Sequence, residues 1–162
     1  MENLENHFYD IFKVGDKKKI LEFLLKNVDK FNILHFYRNE GNIFHIVSRL
    51  GYFNILNIIV DKYNKKQIIK AINSTFRSMT PLHLACNYGF YSICKKLINL
   101  DCNINALTDE GNTPINLAII NGHKEIIELL IDSNANLNIK NDNGKTSYVL
   151  IFKYMKHLTT LH

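Results

Sequence analysis

Seven histidines and three cysteines are the side chains of this 162-residue chain best suited to hold a metal or attack a substrate. A zinc site is announced by close ligand pairs, C-x-x-C or H-E-x-x-H, because one turn must present two donors to one ion. Neither pair occurs. His7, His35, His157 and His162 have no cysteine or carboxylate at ligand spacing. Cys86, Cys94 and Cys102 recur at eight-residue steps in or beside apolar helical stretches. A nucleophilic cysteine needs a neighbouring base and a lowered pKa. An odd set of thiols in apolar surroundings reads instead as reduced core filler of a cytosolic or nuclear protein. Gly41, Gly111 and Gly144 are isolated, so no Gly-rich loop is available to cradle a phosphate. Asp109 and Glu110 fall in a turn, and Glu125 and Glu128 on an exposed helix face. Nothing in their spacing puts two carboxylates around a pocket. The expectation is a chain with no catalytic residue, no metal ligand and no cofactor.

The elements that carry these residues repeat. Met79-Thr80-Pro81-Leu82-His83-Leu84-Ala85 aligns without a gap on Asn112-Thr113-Pro114-Ile115-Asn116-Leu117-Ala118, 33 residues later, and a further step of 33 reaches Lys145-Thr146-Ser147. Weaker copies lie upstream, at Gly41-Asn42-Ile43-Phe44-His45-Ile46-Val47 and at Phe8 to Asp16. Equivalent glycines Gly15, Gly51, Gly89 and Gly122 are spaced by 36, 38 and 33 residues, so the first two linkers hold extra chain. A fixed period of this length is the mark of a stacked array. Thr80 and Thr113 sit where a hydroxyl can cap a helix, and Pro81 and Pro114 follow at the first helical position, where a missing N–H is harmless. Gly89 and Gly122 end that short helix. A second, amphipathic helix follows, with Ile93, Cys94, Leu97 and Ile98 in one copy and Ile126, Ile127, Leu130 and Ile131 in the next. Asp101 and Asn134 stand at a turn position that calls for positive φ.

These motifs resemble the ankyrin repeat, whose pattern reads G-x-T-P-L-H-x-A, then G-H, an apolar run and G-A-D-V-N. The match is closest from Ser78 to Val149. The resemblance implies an all-α solenoid of stacked helix-turn-helix units with projecting turns. Residues 1–162 would form a single domain, with repeats at about 5–36, 37–74, 75–107, 108–140 and 141–162 and degenerate end caps. It places His45 and His83 at the histidine that bridges adjacent turns, His123 in the structural Gly-His pair, and Cys86 and Cys94 where alanine and valine or isoleucine pack. Asn105 and Asn138, each eight residues after a leucine, match the context in which ankyrin asparagines are hydroxylated in animal cells. Their own chemistry favours a turn-stabilising role instead.

The resemblance also says where a partner would touch: the projecting turns and the exposed face of the first helix. In the turns these positions are Arg38 and Asn39, then Phe76, Arg77 and Met79, then Asp109, Glu110 and Asn112, and last Asp142, Asn143 and Lys145. On the inner helices they are Arg49, Leu50, Asn87, Tyr88, Ile120 and Asn121. Aromatic and arginine side chains dominate interface energetics. Arg49, Phe76, Arg77, Met79 and Tyr88 are therefore the expected central patch, unless Phe76 and Met79 instead pack under the longer linker before them.

Composition bounds the rest. Hydrophobic residues make up 46% and charged residues 22%, a globular balance. The net charge of +5 is scattered in short lysine runs rather than in a basic stripe interleaved with aromatics, so nucleic acid is an unfavoured partner. No stretch is apolar enough to span a membrane, and Met1 to Glu5 lacks the apolar core of a signal peptide. The function expected is non-enzymatic protein binding, by a chain monomeric when free, in the cytoplasm or nucleus of a host cell. Its Asn/Ile/Lys-rich repeats look like those of short viral ankyrin proteins that resemble IκB, the inhibitor of NF-κB/Rel factors. That narrower resemblance implies an immune-suppressing Rel inhibitor without the Asp-Ser-Gly degron and acidic tail that govern release. The alternatives are an effector or adaptor of an intracellular microbe that binds another host protein, and a basic nucleic-acid-associated module.

Overall fold

The computed structural model describes residues 40–152 throughout, residues 16–27, and positions 7, 10, 11, 30, 32 and 35. Gly15, Arg38, Asn39, Tyr154, Met155, His157 and His162 lie outside the described residues. Helix α1 spans Lys17–Asn27 and is opened by Asp16, whose Oδ1 accepts from the Lys18 and Lys19 amides. The next unit holds α2 (Ile43–Leu50) and α3 (Phe53–Lys62). It also holds a third helix, α4 (Lys65–Ile72). The following units are α5 (Pro81–Tyr88) with α6 (Tyr91–Asn99), and α7 (Pro114–Ile120) with α8 (Lys124–Asp132). Residues 147–152 are helical again.

The short helices α2, α5 and α7 pack in one row, and the longer α1, α3, α6 and α8 in a second row behind them. This is the all-α stack expected from the period. The helices of a unit are too short to hide an apolar face alone, so burial comes from the neighbours. Phe44, Ile46, Leu56, Leu82, Cys94, Leu97, Ile115 and Leu130 are fully buried in one continuous core. Each such side chain contributes about 1.5–3 kcal/mol of transfer free energy. The amphipathic stripes fall as expected with one exception: Ile131 is 41% exposed, because it lies on the flank of α8 rather than above the seam.

Two further differences have physical causes. The extra chain before the third unit is not an irregular linker. Asn64 caps it by accepting from the Gln67 amide, and Ile68, Ala71 and Ile72 bury against α2, so it folds as α4. The second difference is at Thr113, which makes no capping bond. In α5, Thr80 and His83 close a reciprocal capping box. In α7 the histidine is replaced by Asn116, whose shorter side chain cannot reproduce the arrangement. Among the described residues the Thr113 hydroxyl and the Asn116 amide nitrogen are buried without a partner, although Ser147 donates to the Asn116 oxygen. Unsatisfied buried groups cost about 1–3 kcal/mol each. Restoring the motif with Asn116→His and Ser147→Pro together is expected to raise stability by about 1–2 kcal/mol. Urea denaturation reads this directly, and an unchanged or lower midpoint would contradict it.

Candidate functional site

The projecting turns differ from one another in a way the sequence does not advertise. In the fourth unit the Thr108 amide donates to the Asn112 carbonyl, and Gly111 supplies the positive φ of 70° within a three-residue tip. The last turn is built likewise, from Asn141 to Lys145 around Gly144. The third unit has a tip one residue shorter. Phe76 and Met79 exchange both backbone bonds, at 2.9 and 3.1 Å, and only Arg77 and Ser78 turn the chain. A two-residue hairpin favours positive φ at both central positions, which is why Asn-Gly or Gly-Gly is usual there. Here Arg77 has φ 49° and Ser78 φ 61°. Side chains in this region cost about 1–2 kcal/mol each. Such strain concentrates at ligand-contacting sites.

That tip forms one wall of a cleft of about 200 Å³. Phe76 lies half-buried, edge-on to the His45 ring with centroids 6.1 Å apart, and the Arg77 guanidinium covers its other side at 5.4 Å. Met79 and Leu84 line the floor. Tyr88, 50% exposed at the end of α5, forms the opposite wall and stacks on Phe90. Arg49, at the end of α2, is ion-paired with Glu40, which also lines the cleft. Burial pushes the Glu40 carboxyl up from its usual range, and the charges of Arg49 and Arg77 pull it partly back. Two arginines from different units thus act on one partly buried carboxylate.

The structure therefore brings Arg49, Phe76, Arg77, Met79 and Tyr88 together around a single concavity. Leu50 is half-buried beside them. Asn87 and Asn121 link neighbouring units, with an amide-to-amide bond of 3.2 Å. Ile120 is 59% exposed on the same row of inner helices, while Asp109 is exposed at the adjacent tip. Asn112 is different: it is only 7% exposed. Its side chain bonds Glu110 and Asn141, so it holds two turns together and does not face a partner. Glu40 and Leu84 are cleft residues that sequence reading passed over. The only signal for Glu40 was its place one residue before a turn glycine, where the helix-turn geometry carries it back over Arg49.

The histidines and cysteines at repeat positions make contacts within the stack. In both histidine-containing units, Nδ1 accepts from a cap backbone amide, Asn42 at 3.2 Å or Thr80 at 3.1 Å. Nε2 then donates to the next turn, to the Met79 carbonyl at 3.2 Å from His45 and to the Asn112 carbonyl at 3.1 Å from His83. A neutral ring protonated at Nε2 satisfies both contacts. Burial holds both imidazoles down at about 4. His123 Nε2 lies 3.1 Å from the Asn87 carbonyl. Cys86 and Cys94 are buried with sulfurs 3.7 Å apart. Burial first, then the neighbouring thiol, pushes Cys86 up, and burial pushes Cys102 up to about 12, the opposite of an activated nucleophile. Among the described residues no three His, Cys, Asp or Glu side chains gather as metal ligands, and no helix is long and apolar enough to cross a membrane.

The asparagines of the outer turns form a relay. Asn73 Oδ1 accepts from the Asn103 amide, Asn103 Oδ1 from Asn105, Asn105 Oδ1 from Asn136, and Asn136 Oδ1 from Asn138. Asn105 therefore ties the third unit to the fourth through a bond of 2.8 Å.

Comparison with known proteins agrees with the period. The family model for ankyrin repeats (3 copies) matches residues 11–108 and again residues 44–141. An ankyrin repeat protein of Acanthamoeba polyphaga mimivirus is 26% identical over 95 residues, covering 59% of this chain and 32% of its own. The chain thus spans about a third of the length of that relative.

Proposed function

The chain belongs to the ankyrin-repeat family, and from that premise we propose that it is a non-enzymatic module that grips a partner protein in the cleft between Arg49, the Phe76–Met79 turn and Tyr88. The observation that carries this reading is the coincidence of strain and shape. Among the described residues, the one turn tip that forces two side-chain-bearing residues to positive φ is also the wall of the cleft. A stacking role alone would be served by the glycine turns used elsewhere in the array.

Tyr88 makes half of its surface available and sits at the helix end, so it tests binding apart from folding. Tyr88→Ala is expected to weaken capture of the partner at least tenfold, as truncation of a central aromatic does, and to leave the melting temperature within a few degrees. Retained binding, measured by calorimetry with a purified partner, would sink the cleft as the contact surface.

The narrower form of the reading is an inhibitor of Rel/NF-κB factors acting inside a host cell. It is supported by the resemblance of the repeats to short viral IκB-like proteins and by a relative encoded by a virus. Its test is separate: Rel-homology domains should be retained on the immobilised protein, and absence of binding at micromolar concentration would remove the Rel assignment without touching the cleft.

A further inference from the structure

The charges of the cleft say what kind of partner segment it takes, an inference that rests on the binding role proposed above. Glu40 carries a carboxylate whose side chain is only 18% exposed, beside Arg49 and within the field of Arg77. Nothing in the repeat frame requires an acid there, because the helix cap and the turn are already closed by Asn42 and Gly41. Next to this charged end lies an apolar one, formed by Phe76, Met79, Leu84 and Tyr88. We propose that the cleft is an anchor for a partner peptide bearing a glutamate or aspartate next to a large apolar side chain, its acid received by Arg77, and that Glu40, ion-paired to Arg49, is an internal carboxylate whose charge opposes the incoming acid.

Three physical points favour this occupant. Glu40 is ion-paired to Arg49 and acts on Arg77 only through its field, so the exposed Arg77 guanidinium can accept an anion. Arg77 already rests on the Phe76 ring, so its fork is held in place before any ligand binds, which lowers the ordering entropy of a bidentate contact. The adjacent tips carry Asp109, Glu110 and Asp142, and the Asp142 amide is bonded to the Glu110 carbonyl. That acidic neighbourhood repels a long polyanion, so the surface selects an isolated acid rather than a phosphate backbone.

The proposal is tested with a fluorescein-labelled peptide, Gly-Ser-Glu-Phe-Leu-Ser-Gly, blocked at its C-terminus as an amide and titrated with the full chain by anisotropy. Saturable binding is expected with Kd on the order of 10–100 µM. Replacing the peptide's glutamate by glutamine should weaken it about tenfold, as should Arg77→Ala in the protein. Glu40→Gln should tighten it severalfold, since the opposing carboxylate is gone. Circular dichroism melts confirm that each variant is folded. Equal affinity for the glutamate and glutamine peptides, no effect of Arg77→Ala, or weaker binding by Glu40→Gln overturns the proposal. So does preference for a glutamine peptide with a free C-terminal carboxylate, or for a short single-stranded DNA. If the peptide fails while Tyr88→Ala still abolishes capture of a purified partner, the acidic anchor is wrong and the binding role stands. If Tyr88→Ala is also silent, both fall.

Discussion

Acidification from pH 7.5 to pH 5 is expected to remove about 4 kcal/mol of folding stability, a fall in Tm of roughly 10 °C, through two buried imidazoles. His45 and His83 have no exposed surface, and burial lowers both from the usual 6.5 to about 4. In the unfolded chain they bind a proton as the pH passes 6.5. In the folded chain they resist until it approaches 4. Folding therefore opposes protonation, so the stability present above pH 6.5 is lost as the pH falls toward 4. At pH 5 each ring contributes about 2 kcal/mol of this loss. The geometry supplies the cause. With no exposed surface an imidazolium goes unsolvated in either place, and the bonds to the Met79 and Asn112 carbonyls offset that only in part. Glu40 pulls the other way, because a raised carboxyl pKa favours folding as pH falls, but it is one partly exposed group against two enclosed ones. Thermal melts at pH 7.5, 6 and 5 measure the slope. A Tm unchanged across that range would show that these rings do not titrate as their burial requires.

The same two histidines show what was legible in the sequence and why. A residue can be read from one chain when its role is a local steric or hydrogen-bonding demand that recurs at a fixed interval. Pro81, Gly89, Thr80 and His83 meet that condition, and all stand where the repeat put them. Asp101 and Asn134, both at φ 62°, meet it too, as the least strained substitutes for glycine. Helix α4 does not, because its eight residues have no copy elsewhere in the chain to align with. Neither does the shortened tip at Arg77 and Ser78. Ser78 aligns with Gly111 in the repeat, and nothing in the letters says that the tip closes after two residues rather than three. The cleft was half legible. Its aromatic and arginine residues follow from family positions, whereas Glu40 joins them only through the fold of the turn over α2. Thr113 marks the limit of motif reading: the cap residue is present, but its partner at position 116 has changed.

Gly51→Ala is expected to cost about 3 kcal/mol, and the reason connects the core to the cleft. Gly51 ends α2 at φ 78°, where an alanine is strained by about 1–2 kcal/mol. A Cβ there would also lie 2.5 Å from Phe90 Cε1, 2.8 Å from Cζ and 2.9 Å from Cδ1. Relieving that overlap adds about 1–3 kcal/mol. Phe90 cannot swing away freely, since its ring packs on the core and its amide is held by the Ala85 carbonyl at 3.0 Å. The control is Gly144→Ala, at φ 68° with nothing within 4 Å of the new Cβ, which should show the backbone cost alone. Adding Phe90→Ala to Gly51→Ala should recover part of the steric share, a coupling that a double-mutant cycle by urea denaturation detects. Equal losses for Gly51→Ala and Gly144→Ala would refute the contact. Because Phe90 stacks on Tyr88 with centroids 6.5 Å apart, displacing it also moves the wall of the cleft. Gly51→Ala should then weaken partner binding even at temperatures where the protein remains fully folded. An effect on binding from a turn that does not itself line the cleft is what a site built on the seam between two repeats must show.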